Sequence, residues 1–164
     1  MLRNKQLSPQ RRIMAVFAGG FLGTITRYLL SLLVQGWLGK SLPYDIFFIN
    51  ISGAFALAFI TTLAETALFI GPTRRLFINV GFLGAYTTFS SLALGDVQLF
   101  AGSHIFAAVL YLFLSIFCGV VAVISGEYAG ARLMRVVRPS RMWRVNHIEP
   151  IMLDRLDERD NVSV

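Results

Sequence analysis

Charged residues are sparse in the centre of this sequence. They lie mainly before Ile13 and after Glu127, and they make up only 15% of a chain that is 55% hydrophobic. Soluble domains carry about 25% charged residues. A run of about 20 apolar residues spans the hydrocarbon core of a bilayer, where a helix satisfies its own backbone groups. The long apolar stretches therefore predict an all-α integral membrane protein.

Loop-forming residues divide the apolar region into four predicted membrane spans. We place these spans at residues 13–34, 44–69, 76–100 and 105–124, and treat 13–128 as one membrane domain. Residues 1–12 are predicted to be a basic cytoplasmic N-terminus. Residues 129–164 are predicted to be a cytoplasmic tail, first basic and then of mixed charge. The net charge of +6 indicates ends that face anionic lipid rather than a nucleic-acid partner.

The inventory of reactive side chains argues against an enzyme. The chain has one cysteine, Cys118, and two histidines, His104 and His147, which are far apart in sequence. A transition-metal site needs several such ligands. No Ser-His-Asp or Cys-His arrangement stands out, so the sequence gives no support for a catalytic centre.

The third span differs from the others because it is rich in small and polar residues. Gly84 lies about 14 Å along a helix from Arg75, which is about half of the ~30 Å hydrocarbon core. The stretch 84–91 therefore falls near the midplane. A helix broken there would expose carbonyls and amides and would be a candidate ion site. A continuous helix with small residues for close packing is the alternative.

Four polar side chains and one aromatic ring inside the spans are candidates for an ion path. Arg27 either reaches the far interface or lines an aqueous vestibule that attracts anions. Asn50 offers two N–H donors to an anion, or else one interhelical hydrogen bond. Tyr111 and Ser115 share a helix face and are candidates for packing or for conduction. Phe89 has an electropositive ring edge that helps to solvate an anion, or it is a packing residue.

Three segments resemble the motifs of the CrcB/Fluc fluoride-channel family. Residues 19–28 resemble its first-span motif, a Gly-rich helical turn closed by an Arg. Residues 50–55 resemble the second-span Asn-x-x-Gly motif, and residues 81–91 resemble the third-span signature. Tyr111 and Ser115 fall where the family has a polar pair. The resemblance covers about residues 18–126 in order and at matching spacing.

The resemblance implies a passive, fluoride-selective channel in the cell membrane that lets cytoplasmic fluoride out. It implies two subunits in an antiparallel dimer with two pores, and a structural Na⁺ at the dimer interface. The backbone carbonyls of Gly84 and Thr87 match the positions that hold this ion. The predicted fluoride path consists of Arg27, Asn50, Phe89, Ser90, Ser91, Tyr111 and Ser115.

Two positions depart from the family pattern. The family usually has a second pore Phe three residues after the first, and this chain has Leu92 there. The family often has a Glu shortly after that, where this chain reads Leu94-Gly95-Asp96. Leu92 has no polarised ring edge, so we expect a smaller aromatic contribution to the pore from this subunit.

Two other functions and two kinds of dimer remain open from the sequence. A coupled transporter would need a central ionisable residue, and Glu65 and Asp96 lie near span ends. A non-conducting structural membrane protein would use the third span only for packing. Basic residues favour cytoplasmic termini, since the first loop carries only Lys40. This bias conflicts with dual topology, in which copies of one chain insert in both orientations about equally. Family habit favours a homodimer. A heterodimer with an oppositely oriented paralogue is the alternative.

Overall fold

The computed structural model describes residues 8–66 and 71–137, and within these ranges its secondary structure is entirely helical. The helices are α1 (Pro9–Leu38), α2 (Tyr44–Thr66), α3 (Pro72–Arg75), a π-helical segment (Leu76–Leu83), α4 (Gly84–Tyr86), α5 (Phe89–Ala101) and α6 (Ile105–Val137). Four stretches are long and apolar enough to cross a membrane, and the third of them, Pro72–Ala101, contains everything from α3 to α5. The protein is thus a multi-pass membrane protein with four spans.

The helix ends follow from local sequence. Pro9 occupies the first turn of α1 and Pro72 the first turn of α3, where a missing N–H costs nothing. Gly39 ends α1 with a φ of 79°, a conformation that glycine adopts without strain. Between α5 and α6, Ser103 has a φ of 63°, which closes a tight turn. The predicted first and third loops are therefore confirmed, although α1 continues to Leu38.

The fourth helix is longer than predicted. It continues to Val137, whereas the sequence analysis ended the span at Ile124. Residues after Glu127 include Ala129, Ala131 and Leu133, which favour a helix even where a chain has become polar. A helix therefore need not end where its apolar stretch ends. Most of the predicted tail, including Arg138, Arg141 and Arg144, lies outside the described residues, so its proposed role stays a prediction.

Glycines allow two pairs of helices to approach each other closely. On α1, a Cβ at Gly19 or Gly23 would collide with carbonyls of the π-helical segment. On α6, a Cβ at Gly126 would collide with a carbonyl of α2, and one at Gly130 would lie 2.9 Å from Thr62. Small residues spaced by four bring membrane helices into backbone contact. Both pairs of glycines therefore serve packing within the chain.

The buried core is small and lies beside the third span. Ile49, Leu83 and Tyr86 form it, and Ile49 has no exposed surface. Most large apolar side chains elsewhere are exposed, as in a protein whose outer surface faces lipid. The core therefore packs α2 against the point at which the third span is interrupted.

Candidate functional site

The third span is broken at Thr87 and Thr88, where both residues have extended backbone. Thr87 has a ψ of 153°, and Thr88 has φ and ψ angles of −151° and 117°. The Thr87 N–H still donates to the Leu83 carbonyl at 3.1 Å, and α5 starts at Phe89. The predicted break between residues 84 and 88 is confirmed. The π-helical segment before it was not predicted; π turns interrupt the regular ladder and often occur at functional sites.

The Asn50 side chain takes over the hydrogen bonds that the break removes. Its Nδ2 donates to the Thr88 carbonyl at 3.0 Å, and its Oδ1 accepts from the Thr88 N–H at 2.8 Å. Unpaired backbone groups are costly in a bilayer, so this exchange makes the interruption tolerable there. Asn50 keeps a second N–H that this pair does not use. The sequence analysis left a choice between an anion donor and an interhelical bond, and the structure shows the interhelical bond.

Thr88 is a central residue of the site that the sequence analysis did not select. Only 7% of its surface is exposed, and its Oγ1 accepts from the Ser91 N–H at 3.2 Å. The same hydroxyl lies 3.1 Å from the hydroxyls of both Ser90 and Ser91. Thr88 is therefore the N-cap of α5. The available signal was a Thr directly before an apolar helical run, with a hydroxyl residue three positions later.

Helix α2 also supports the break one turn after Asn50. The Ser52 hydroxyl lies 2.9 Å from the Tyr86 hydroxyl. A Cβ at Gly53 would collide with the Thr87 side chain, so only glycine lets the extended residues lie this close to α2. The second-span motif thus holds the interruption through three neighbouring residues.

Two hydroxyls on α6 are buried without a hydrogen-bond partner among the described residues. These are the Tyr111 hydroxyl and Ser115 Oγ. On α5, the Asp96 Oδ1 atom is also buried without a hydrogen-bond partner among the described residues. The Tyr111 hydroxyl is 4.0 Å from the position a Cβ would take on Gly95, so it lies against α5. Buried polar groups without partners are rare, and water or an ion usually satisfies them. The predicted pair on α6 is thus buried within the chain, with Tyr111 against α5.

Phe89 and Leu92 point in different directions from α5. Phe89 is 81% exposed, and Ser90 beside it is exposed as well. Leu92 is 9% exposed and packs inside the subunit. One chain therefore does not bring Phe89 into contact with its own Asn50. The Phe89 ring thus lies on the outer surface of this chain.

Arg27 is half-buried on α1. Within the part of the chain that the structure describes, the Arg27 side chain forms no hydrogen bond or ion pair. Arg75, by contrast, forms an ion pair with Glu65 at 3.4 Å. The structure thus leaves the Arg27 charge available but does not connect it to Asn50 or Thr88.

The proposed Na⁺ ligands are compatible with an alkali cation. Gly84 is exposed, and a Cβ there would be 3.8 Å from the nearest atom, the Asn79 carbonyl oxygen. Since the Thr88 N–H donates to Asn50, the regular helical bond to the Gly84 carbonyl is replaced. Among the described residues no group of His, Cys, Asp or Glu could hold a metal. Carbonyl oxygens suit a hard cation such as Na⁺, so the Gly84 carbonyl fits the ion.

A cavity at the loop end of the helices, called the vestibule below, includes one residue next to the break. Its volume is about 460 Å³, and Ser91 lines it together with residues of α1, α2, both adjoining loops and α5. Ser91 connects this vestibule to the break, because its side chain is hydrogen-bonded to Thr88, and Thr88 is hydrogen-bonded to Asn50.

Comparison with known proteins agrees with this architecture. The family described as "CrcB-like protein, Camphor Resistance (CrcB)" matches residues 14–127. A Thermus thermophilus protein named "Fluoride-specific ion channel FluC" is 38% identical over 123 residues, covering 75% of this chain and 98% of the relative. A protein of the same name from Trichormus variabilis is 41% identical over 121 residues, covering 73% and 88%. A third, from Synechocystis sp., is 36% identical over 123 residues, covering 75% and 95%.

The matched region begins in α1, ends in α6 and includes the Asn50–Thr88 clamp. The family match spans well over half of the chain, and the relatives are matched over nearly their whole length. This chain therefore belongs to the CrcB-like family of multi-pass proteins of the cell membrane.

Proposed function

We propose that the protein is a fluoride-selective channel that lets the ion leave the cytoplasm passively. The observation that carries the proposal is the clamped break in the third span. Asn50 holds an interruption of the helix next to Ser90 and Ser91, and Ser91 also lines the vestibule at one end of the helices. Irregular backbone inside a membrane persists where it lines a polar path. The relatives named as fluoride-specific channels agree with this function.

Fluoride needs donors that replace its hydration shell without holding it tightly. Asn50 keeps one amide N–H, and the hydroxyls of Ser90 and Ser91 can rotate away from Thr88 to donate. The hydroxyls of Tyr111 and Ser115 are buried and have no partner among the described residues. The exposed Phe89 ring adds an electropositive edge. These groups provide many weak donors rather than one strong charge.

We further propose that two copies assemble as an antiparallel dimer. Gly84, Phe89 and Ser90 are exposed on one chain although they belong to the middle of a membrane span. Polar and irregular backbone at this depth needs protein cover. A second copy supplies this cover and brings one subunit's Phe89 to the other subunit's surface. The dimer is a homodimer in this proposal, and a paralogue of opposite orientation is the alternative partner.

The Gly84 and Thr87 carbonyls of both copies would hold a structural Na⁺ at their interface. When bound, this ion supplies a positive charge that lowers the barrier for an anion in a medium of low dielectric. The exposed Gly84 at the interrupted helix supports this assignment.

Reconstitution into liposomes with a fluoride electrode tests the function. Rapid fluoride efflux that follows the membrane potential and needs no proton or sodium gradient is the expected result. Efflux that requires an ion gradient would instead show a coupled transporter. A folded, correctly inserted protein without any efflux would show a structural role. Chloride efflux measured in the same vesicles reports selectivity.

A further inference from the structure

Another cavity lies at the end of the molecule where α1 and the third span begin, away from the vestibule. Its volume is about 530 Å³, and residues of α1, α2, α3 and the π-helical segment line it. It is called the arginine groove below, after its two charged residues, Arg12 and Arg75. Both arginines are exposed, and each directly precedes the predicted start of a span. They therefore lie at the level where a bilayer presents its headgroups.

Positive charge exceeds negative charge around this groove. Arg11 and Arg74 are the sequence neighbours of the two groove arginines, and the acidic residue found beside them is Glu65, 3.4 Å from Arg75. That ion pair is exposed, so it is weak. Arg12 has no ion pair within residues 8–66 and 71–137. It also lies in the first turn of α1, at the positive end of the helix dipole, where there is no acidic residue. This end of the molecule therefore favours a bound anion.

The groove changes from charged to polar and then to apolar with depth. Asn79 follows Arg75 by one helical turn, about 6 Å, and its Nδ2 donates to Thr61 Oγ1 at 3.0 Å. The amide keeps a second N–H that this bond does not use. Its Oδ1 is buried without a hydrogen-bond partner among the described residues. Beside this pair the groove is lined by Leu57 and Val80, which are apolar and 40% and 55% exposed.

A phospholipid presents the same order of chemistry: a phosphate, then ester carbonyls, then acyl chains. We propose that the arginine groove binds an anionic phospholipid such as phosphatidylglycerol. Arg12 and Arg75 hold its phosphate, the Asn79 amide donates to an ester carbonyl, and an acyl chain packs on Leu57 and Val80. Basic pockets between membrane helices on the cytoplasmic side are suited to such headgroups, and the basic termini favour that side. The excess positive charge selects an anionic lipid over a zwitterionic one.

Quenching of a tryptophan in the groove by brominated lipid reports which lipid lies there. Trp37 and Trp143 are replaced by Phe, and Val80 is replaced by Trp in the full chain, which is then reconstituted with lipids brominated on their acyl chains. The binding constant derived for phosphatidylglycerol should exceed that for phosphatidylcholine about three- to tenfold. Phe106→Trp is the matched control. It is exposed at the other end of the molecule, so it should give equal binding constants for the two lipids.

Arg11 and Arg12 separate a groove from a diffuse surface charge. They are adjacent, exposed and equally charged, but Arg12 lines the groove and Arg11 does not. Arg12→Gln should lower the preference for phosphatidylglycerol at the Val80→Trp position about three- to fivefold, whereas Arg11→Gln should leave it nearly unchanged. Arg12→Lys keeps the charge and should retain most of the preference. Raising salt to about 1 M should reduce the preference and leave quenching by phosphatidylcholine unchanged.

Four results would overturn the inference. The first is equal binding of both lipids at Val80→Trp, and the second is an equal loss on Arg11→Gln and Arg12→Gln. The third is quenching by brominated phosphatidylethanolamine as strong as that by phosphatidylglycerol, which would remove the selection for an anionic lipid. The fourth is recovery of the fluorescence on addition of inorganic phosphate, which would show a soluble anion in the groove.

The same experiment detects a groove that is closed to lipid. No quenching by any brominated lipid at Val80→Trp, with normal quenching at Phe106→Trp, would show that protein covers the groove and would contradict the proposal. Leu57→Trp keeps the test valid if Val80→Trp fails to fold. These measurements do not require fluoride efflux, so their outcome is independent of the proposed channel function.

Discussion

The side-chain amide of Asn50 on α2 forms two hydrogen bonds, of 3.0 and 2.8 Å, with the backbone carbonyl and N–H of Thr88 in the interrupted third span. An amide is the side chain that can do this, because it presents a donor and an acceptor at the same end. The pairing couples the proposed ion path to the stability of the fold. A change at position 50 therefore affects both.

Replacing Asn50 by Asp should abolish or strongly reduce fluoride efflux. A carboxylate accepts from the Thr88 N–H but cannot donate to its carbonyl, and its charge repels the anion. Loss of the buried hydrogen bond should also lower the free energy of unfolding by about 1–3 kcal/mol. Efflux from liposomes and thermal unfolding in detergent measure the two effects. Ser52→Ala, two residues along α2, removes a supporting hydroxyl without adding a charge and should keep most of the efflux. Unchanged efflux in Asn50→Asp would remove Asn50 from the path.

Thr88→Ala should destabilise the protein by about 1 kcal/mol, because α5 loses its N-cap. Thr88→Ser should keep most of the stability, since the hydroxyl can still accept from the Ser91 N–H. Comparing the unfolding midpoints of the two variants checks this. Equal unfolding midpoints for Thr88→Ala and Thr88→Ser would show that the N-cap contributes nothing to stability.

Substitutions at glycines of α6 should separate close packing from helix propensity. Gly126→Val should destabilise the fold by about 1–3 kcal/mol or more, because its side chain meets the Phe55 carbonyl. Gly119→Val is the matched control, since nothing lies within 4 Å of a Cβ there. Resistance to unfolding by detergent, measured for both, should fall only for position 126. Equal losses would show that the α2–α6 contact is not close.

Single cysteines at Lys40 and Arg74, in a Cys118→Ala background, should reveal orientation. In a dual-topology homodimer a membrane-impermeant thiol reagent should label both sites from outside, with full efflux from the lone chain. Labelling of Lys40→Cys alone, without efflux until a paralogue is co-expressed, would instead show a heterodimer. The basic residues around the termini favour one orientation, so this result decides between the two assemblies.

Sodium removal should weaken the dimer if Gly84 and Thr87 hold the ion. Exchanging Na⁺ for a large organic cation should shift purified protein toward monomers in cross-linking experiments. Li⁺ or K⁺ should restore the dimer less well, because a carbonyl cage depends on ion size. A dimer that is equally stable in all four salts would contradict the assignment.

Much of this architecture follows from the sequence because its causes are local. Apolar length predicts the four spans. Glycine and hydroxyl content at the correct depth makes a break one of two interpretations, and the resemblance to the CrcB/Fluc family favours it. The role of Thr88 was not identified, because an N-cap in mid-span is recognised only once the helix is known to stop at Tyr86. The bonds that Asp45 accepts from Ser31 and Gln35 connect two helices, and spacing along one chain does not reveal them. The π-helical segment had no sequence signal that we can identify.

The two pairs of glycine contacts on α1 and α6 have a consequence for biogenesis. Their close packing is satisfied within the chain, against the third span and against α2. Each newly inserted copy can therefore complete its own helix packing before it encounters another. In the proposed dimer, assembly would then join two copies whose internal helix packing is already complete, whichever way each entered the bilayer. The orientation of each copy can thus be settled at insertion. Pairing would follow later, when copies meet by diffusion in the plane of the membrane.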